Sequence, residues 1–213
     1  MERVVTPEGR RYVIPGTDET YESVTTALGK NPEKQKGLQE WRNRIGEEEA
    51  NRISRVAAYR GTRFHTLTEK FLNGENEAVL LQNELPGVIE MFLSIKPILQ
   101  KNIQHIYMQE AFLFSHKYKL AGAVDCIAQC DGKLCVIDFK TSGKIKRKDW
   151  IADYFLQCSA YSFMFEEMYG DKIDNIIVLI AIENNKPQFF VEEPIRFKQD
   201  KFFTSRIRES EYA

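Results

Sequence analysis

The sequence predicts an α/β protein built on a mixed β-sheet flanked by helices. Three observations predict it. Helical periodicity dominates residues 31–75, strand-like runs dominate 103–140, and a long helical stretch at 146–170 separates those runs from a second apolar hairpin. The 213 residues suffice for one good-sized core. A single domain is therefore expected, with a helical N-terminal part at 1–75 and the sheet with its helix at 100–195.

The elements follow in order. Residues 10–29 read as an extended piece, a turn and a short helix. The helical region after Asn31 has a break at Gly46 and a stop at Asn73-Gly74. "LPGVIEMFLSIKPILQ" predicts a helix starting at Pro86, where proline is tolerated in a first turn. Strands are expected around Ile103 to Ser115, Lys119 to Cys130 and Lys133 to Lys140. The helix after them ends at Gly170, a second hairpin turns near Asn184-Asn185, and a C-terminal helix closes the chain.

Thirty basic residues nearly cancel 31 acidic ones, and the net charge of -1 gives no global pull toward a polyanion or membrane. Any such partner would need a local basic cluster. The longest strictly apolar run, Ile176 to Ile182, suits a buried strand and is too short to span a bilayer. With no targeting segment visible, a cytoplasmic location is the default expectation. Four cysteines are too few for a disulfide scaffold.

The informative stretch is "AGAVDCIAQCDGKLCVIDFKTS", Ala121 to Ser142. Asp131-Gly132 between apolar runs is a strong signal for a two-residue hairpin loop. That register places Cys130 against Lys133, Asp125 against Asp138, and Ala123 against Lys140. By strand alternation, Val124, Cys126, Ala128, Cys130, Cys135, Ile137 and Phe139 share one wholly apolar face. Asp125, Asp138 and Lys140 meet at one end of the other. Two carboxylates at about 4 Å repel by about 4 kcal/mol at an effective dielectric of ~20. A shared proton, Lys140 or a divalent cation could offset this, and hard oxygen ligands suit Mg²⁺ or Mn²⁺. An Asp–Lys ion pair at a solvated sheet edge is the alternative, and D-x-K is a common tripeptide.

The spacing is more specific than the tripeptide. "GAVD" followed by "DFKTS", with Asp125 and Asp138 in place, resembles the PD-(D/E)XK nuclease superfamily. Within it the chain resembles the RecB-type exonuclease branch. "RGTRFH" (Arg60 to His65) resembles the G-x-x-x-H motif of that branch, "QEAFLF" carries Glu110 on the preceding strand, and "QCSAY" (Gln157 to Tyr161) matches Q-x-x-x-Y. "SVTT" with Leu28, and Leu38 to Arg44, resemble mitochondrial-genome-maintenance-type and phage-encoded exonucleases. The resemblance spans about Tyr21 to Gly170 and implies a restriction-endonuclease-like sheet.

The resemblance implies that His65, Asp125 and Asp138 are metal ligands, with the backbone carbonyl of Phe139 and, less firmly, Glu110. It implies one or two Mg²⁺ or Mn²⁺ ions, with Lys140 positioning or activating water and Gln157 and Tyr161 lining the site. The local chemistry agrees. Phosphodiester hydrolysis needs an activated water and neutralised charge, and Lys140 beside a carboxylate pair offers both. A helical histidine alone is usually a packed or surface group.

Trp150, Tyr154, Gln157 and Tyr161 share a helix face, either as core or, for the aromatics, as a stacking surface for unpaired bases. Arg60, Arg63, Thr141, Ser142, Lys144, Lys146, Arg147 and Lys148 are candidate phosphate contacts; ordinary solvated charge is the alternative. Cys126, Cys130, Cys135 and Cys158 read as buried thiols, so no iron–sulfur cluster is expected. The function expected is a metal-dependent DNA exonuclease preferring single-stranded ends or tails. A structure-dependent flap endonuclease, or an inactive nuclease-fold DNA-binding or assembly subunit, are the alternatives.

Overall fold

A computed structural model describes residues 2–195. The expected C-terminal helix lies outside the described residues. Strands β1 (Arg3–Thr6), β2 (Gly9–Val13) and β3 (Thr20–Ser23) come first, then α1 (Val24–Gly29), α2 (Pro32–Ile45) and α3 (Glu47–Leu72). The stretch 1–75 is thus not helical throughout; it adds three strands to the sheet, a correction. Short β-runs rich in charge, such as "GRRYV", carry little periodicity, and tertiary pairing decides them.

The helix punctuation follows local chemistry. Asn31 caps α2, its side chain accepting from the Glu33 N–H, with Pro32 in the first turn. Gly46, at φ 87, separates α2 from α3, and Gly74, at φ 80, follows the end of α3. Asn76 caps α4 (Glu77–Gln82), a helix the sequence reading missed. Then come α5 (Pro86–Asn102), β4 (Ile103–Ser115), β5 (Leu120–Cys130) and β6 (Lys133–Ser142). A 3₁₀ turn at Lys148–Ile151 leads into α6 (Ala152–Tyr169), followed by β7 (Asn175–Ile182) and β8 (Gln188–Glu192).

The β5–β6 loop has φ 52 at Asp131 and φ 75 at Gly132, so both residues adopt the left-handed conformations of a type I′ turn. The resulting register matches the expected one from Cys130↔Lys133 to Cys126↔Ile137 and then stops. Asp125 and Asp138 are therefore not a ladder pair, which corrects the face-to-face expectation. The reason lies in the topology. The strands run β1-β2-β3-β5-β6-β7-β8, with β4 against β5 off this path. β3 pairs with β5 at Leu120 and Ala121, β6 pairs from Cys126 onward, and residues 122–125 pair with neither. β5 forks there.

A second irregularity coincides with the fork. Glu110 has φ 45, and the β4–β5 pairing skips from Gln109↔Cys126 to Ala111↔Val124. On β4, Met108 and Ala111 pack into the same core cluster; on β5, Ile127 and Val124 do. A spacing of three reverses the strand alternation on both chains at Glu110 and Asp125. Val124 thus lies on the face opposite Cys126, Ala128, Ile137 and Phe139, against the expectation of one shared face. Helices α3 and α5 cover that second face through Phe64, Leu67, Met91 and Ile95. Helices α1 and α6 cover the first through Leu28, Cys158, Met164 and Phe165.

Candidate active site

The fork collects the charged side chains. On α3, Phe64 and Leu67 anchor the helix to the sheet, which leaves His65 half-buried beside Asp125: Nδ1 is 3.5 Å from Asp125 Oδ2. His65, Glu110 and Asp125 bring one potential ligand atom each to within 4.8 Å of one another. Asp125 Oδ2 also accepts the Phe139 N–H at 2.8 Å, a bond available because β5 has left its ladder with β6 here.

Asp138 lies at the next position of the same end of the sheet, 1% exposed. Its Oδ1 accepts from Lys140 Nζ at 2.5 Å and from Gln157 Nε2 at 3.1 Å. Its Oδ2 is buried and has no hydrogen-bond partner among the described residues. A buried carboxylate oxygen without a donor is costly unless a cation or proton meets it. Burial, added to by Asp125 and partly offset by Lys140, pushes the Asp138 carboxyl up to about 6. Loss of hydration around the Glu110 carboxyl, then Asp125, pushes Glu110 up to about 7, although the residue as a whole is exposed. Burial opposes the Lys140 ammonium, but Asp138 and Asp125 outweigh it and its pKa is raised.

This donor set fits a divalent cation. One imidazole and two carboxylates converge, a third carboxylate whose other oxygen is unmatched among the described residues adjoins them, and burial, with a smaller contribution from the Asp125 charge, raises the pKa of Glu110 and Asp138. Gln157 holds Asp138 in place, and the Tyr154 ring lies 5.3 Å from Lys140 Nζ. Tyr161 is buried against Gly122, where a Cβ would come within 2.9 Å of its ring and hydroxyl. Only glycine leaves that space. Phe139 enters the site through its N–H, between Asp138 and Lys140 on β6.

The candidate phosphate contacts divide. Arg63 is committed to structure: it donates to Glu84 at 2.5 Å, to the Asn83 carbonyl at 3.2 Å and to the Tyr59 hydroxyl at 3.1 Å. Ser142 is buried, its hydroxyl donating to the Lys144 carbonyl and shaping the turn after β6. Lys148 pairs with Glu192, and Lys146 is held through its backbone by the Gln188 side chain. Thr141 lies beside Gly61 of α3, and Arg60 pairs with Glu183. Trp150 is 58% exposed, with Lys144 5.9 Å and Arg147 5.6 Å from its ring. The four cysteines are buried free thiols.

Two acidic neighbours went unselected in the sequence reading. Glu69 lies close enough to add to the upward shift of Glu110. Its spacing of four from His65 on one helix face was the available signal. Glu183, just past β7, gave no signal.

A mixed sheet that forks thus gathers an acidic–imidazole cluster and a lysine at one point. The chain belongs to the PD-(D/E)XK nuclease superfamily, whose family model matches residues 88–209. Similar curated proteins are named mitochondrial genome maintenance exonuclease 1. The human protein is 29% identical over 194 residues, covering 84% of this chain and 52% of its own length. The mouse protein is 29% identical over 211 residues, covering 92% and 60%, and the Xenopus tropicalis protein 26% over 159, covering 70% and 44%. The chain thus spans about half the length of these relatives. A solved structure of a putative exonuclease from Eubacterium rectale shares 9% identity and a TM-score of 0.45, over 72% of this chain and 64% of that one.

Proposed function

We propose that the chain is a Mg²⁺- or Mn²⁺-dependent DNA exonuclease acting on single-stranded ends or tails. The observation that carries the reading is the fork cluster: His65, Glu110 and Asp125 converge beside an Asp138 oxygen that lacks a partner among the described residues, with Lys140 bound to the other oxygen. The name of the relatives supports the exonuclease part of the reading. When bound, a divalent ion supplies Lewis-acid polarisation of the phosphate and lowers the pKa of an attacking water.

The residues then divide the work. His65, Asp125 and Asp138 hold the ion, and Glu110 completes the set. Lys140, whose pKa is raised, stays charged at neutral pH. It is therefore an electrostatic stabiliser and water-positioning donor rather than a base. Gln157 orients Asp138, and Tyr161 fixes the approach of α6 to β5 at Gly122.

The single-strand preference rests on Trp150. An exposed indole flanked by two cations suits stacking of an unpaired base with its phosphates nearby. Digestion of linear and circular single-stranded DNA, and of duplex, with Mg²⁺, Mn²⁺ or chelator tests the reading. Loss of linear single strands from a labelled end, only with metal, is the expected result. Cleavage of closed circles would favour a flap endonuclease, and metal-supported binding without cleavage an inactive subunit.

A further inference from the structure

The two arginines of "RGTRFH" are in different states. Arg63 is engaged by a carboxylate, a carbonyl and a phenol. Among the described residues the Arg60 side chain instead makes one hydrogen bond, from Nη1 to Glu183 Oε2 at 3.1 Å. Its Nε is buried without a partner among the described residues. The Arg60 side chain is 20% exposed against 50% for Glu183. Glu183 itself is pinned, its N–H donating to the Ser142 carbonyl at 2.9 Å. The next residue of α3, Gly61, faces Thr141 Oγ1, 4.0 Å from where a Cβ would lie. Arg60 is thereby placed over the end of β6, just past Lys140.

A guanidinium carries five donors in a rigid fork that matches two oxygens of one phosphate. Among the described residues Glu183 engages the fork through Nη1 alone, so the guanidinium keeps donors and charge for a phosphate. We propose that Arg60 clamps the backbone phosphate adjacent to the scissile one, and that Glu183 is a positioning residue that holds the fork in register through one N–H. The proposal rests on the nuclease reading. It adds a phosphate subsite at the C-terminal mouth of β6 and β7, and it separates Arg60 from Arg63, which the same motif carries but the fold consumes.

The experiment measures binding and cleavage separately. Fluorescein-labelled oligothymidine is titrated by anisotropy in chelator, across a salt series, against wild type, Arg60→Ala, Arg60→Lys, Glu183→Gln and the Arg60→Ala/Glu183→Gln pair. Losing a charged, bidentate phosphate contact should weaken binding about tenfold. It should also flatten the salt slope by about 0.7. Arg60→Lys should recover the slope but not the affinity, because the charge returns without the fork. Glu183→Gln should weaken binding in wild type and add nothing in the Arg60→Ala background. In metal-supported cleavage the loss should fall on KM rather than kcat. Unchanged affinity and slope for a folded Arg60→Ala protein would overturn the subsite. An equal Glu183→Gln effect with and without Arg60 would overturn the positioning role. Failure of wild type itself to cleave would count against the nuclease reading, while the anisotropy series still decides the clamp.

Discussion

Asp138→Asn separates the two demands on this site, stability and catalysis. The carboxyl is pushed from 3.8 up to about 6, chiefly by burial. At 1.36 kcal/mol per unit, the folded state gives up about 3 kcal/mol to hold Asp138 ionised above that range. The sign follows directly: the folded form binds the proton more tightly than the unfolded form. That stabilisation is full below pH 3.8 and is lost as pH rises through about 6. Asparagine is neutral at every pH and escapes the loss. Its amide nitrogen, however, takes the place of Oδ2, which has no partner among the described residues. That unmatched donor costs about 1–3 kcal/mol.

Without metal, the variant should therefore be at least as stable as wild type at pH 8, by up to about 2 kcal/mol. It should be less stable at pH 4. Urea unfolding in chelator at both pH values measures the crossing. Cleavage should be lost, and added Mn²⁺ should stabilise wild type far more than the variant. A variant less stable than wild type at pH 8 in chelator would refute the reasoning. It would show that the Asp138 charge contributes more to seating Lys140 than its burial costs.

Lys140→Ala should abolish cleavage and lower stability more at pH 8 than at pH 5, since it removes the cation that eases Asp138 ionisation; single-turnover digestion and urea titrations check both. Gly122→Ala places a Cβ 2.9 Å from Tyr161 and should cost about 1–3 kcal/mol of stability, read as a fall in melting temperature. Trp150→Ala should leave the melting temperature unchanged, as the indole is exposed, while weakening single-stranded DNA binding by about 1–3 kcal/mol in the same anisotropy assay.

Much of the architecture was legible. Asp131-Gly132 specified the turn, and the observed pairing from Cys130↔Lys133 to Cys126↔Ile137 is the one the loop length demands. Gly46 and Asn73-Gly74 marked helix ends because their backbone roles are local. What escaped is non-local. Nothing near Glu110 or Asp125 announces that both strands reverse their alternation there, because a φ of 45 at a glutamate is imposed by the surrounding fold. The sequence therefore named side chains that meet at the fork but put Asp125 and Asp138 in a pairing that the divergence of β5 from β6 prevents. Arg63 looked like a free cation for the same reason: its partners Glu84 and Asn83 come from a distant loop.

The gap between β3 and β6 along β5 also has a mechanical meaning. Residues 122–125 lack cross-strand support on that side, so the wishbone is held at its crotch by Asp125 gripping the Phe139 amide and by whatever bridges the acidic groups around it. A bound cation there would act as a rivet as well as a reagent, and amide protons of this segment should exchange more slowly once it is loaded.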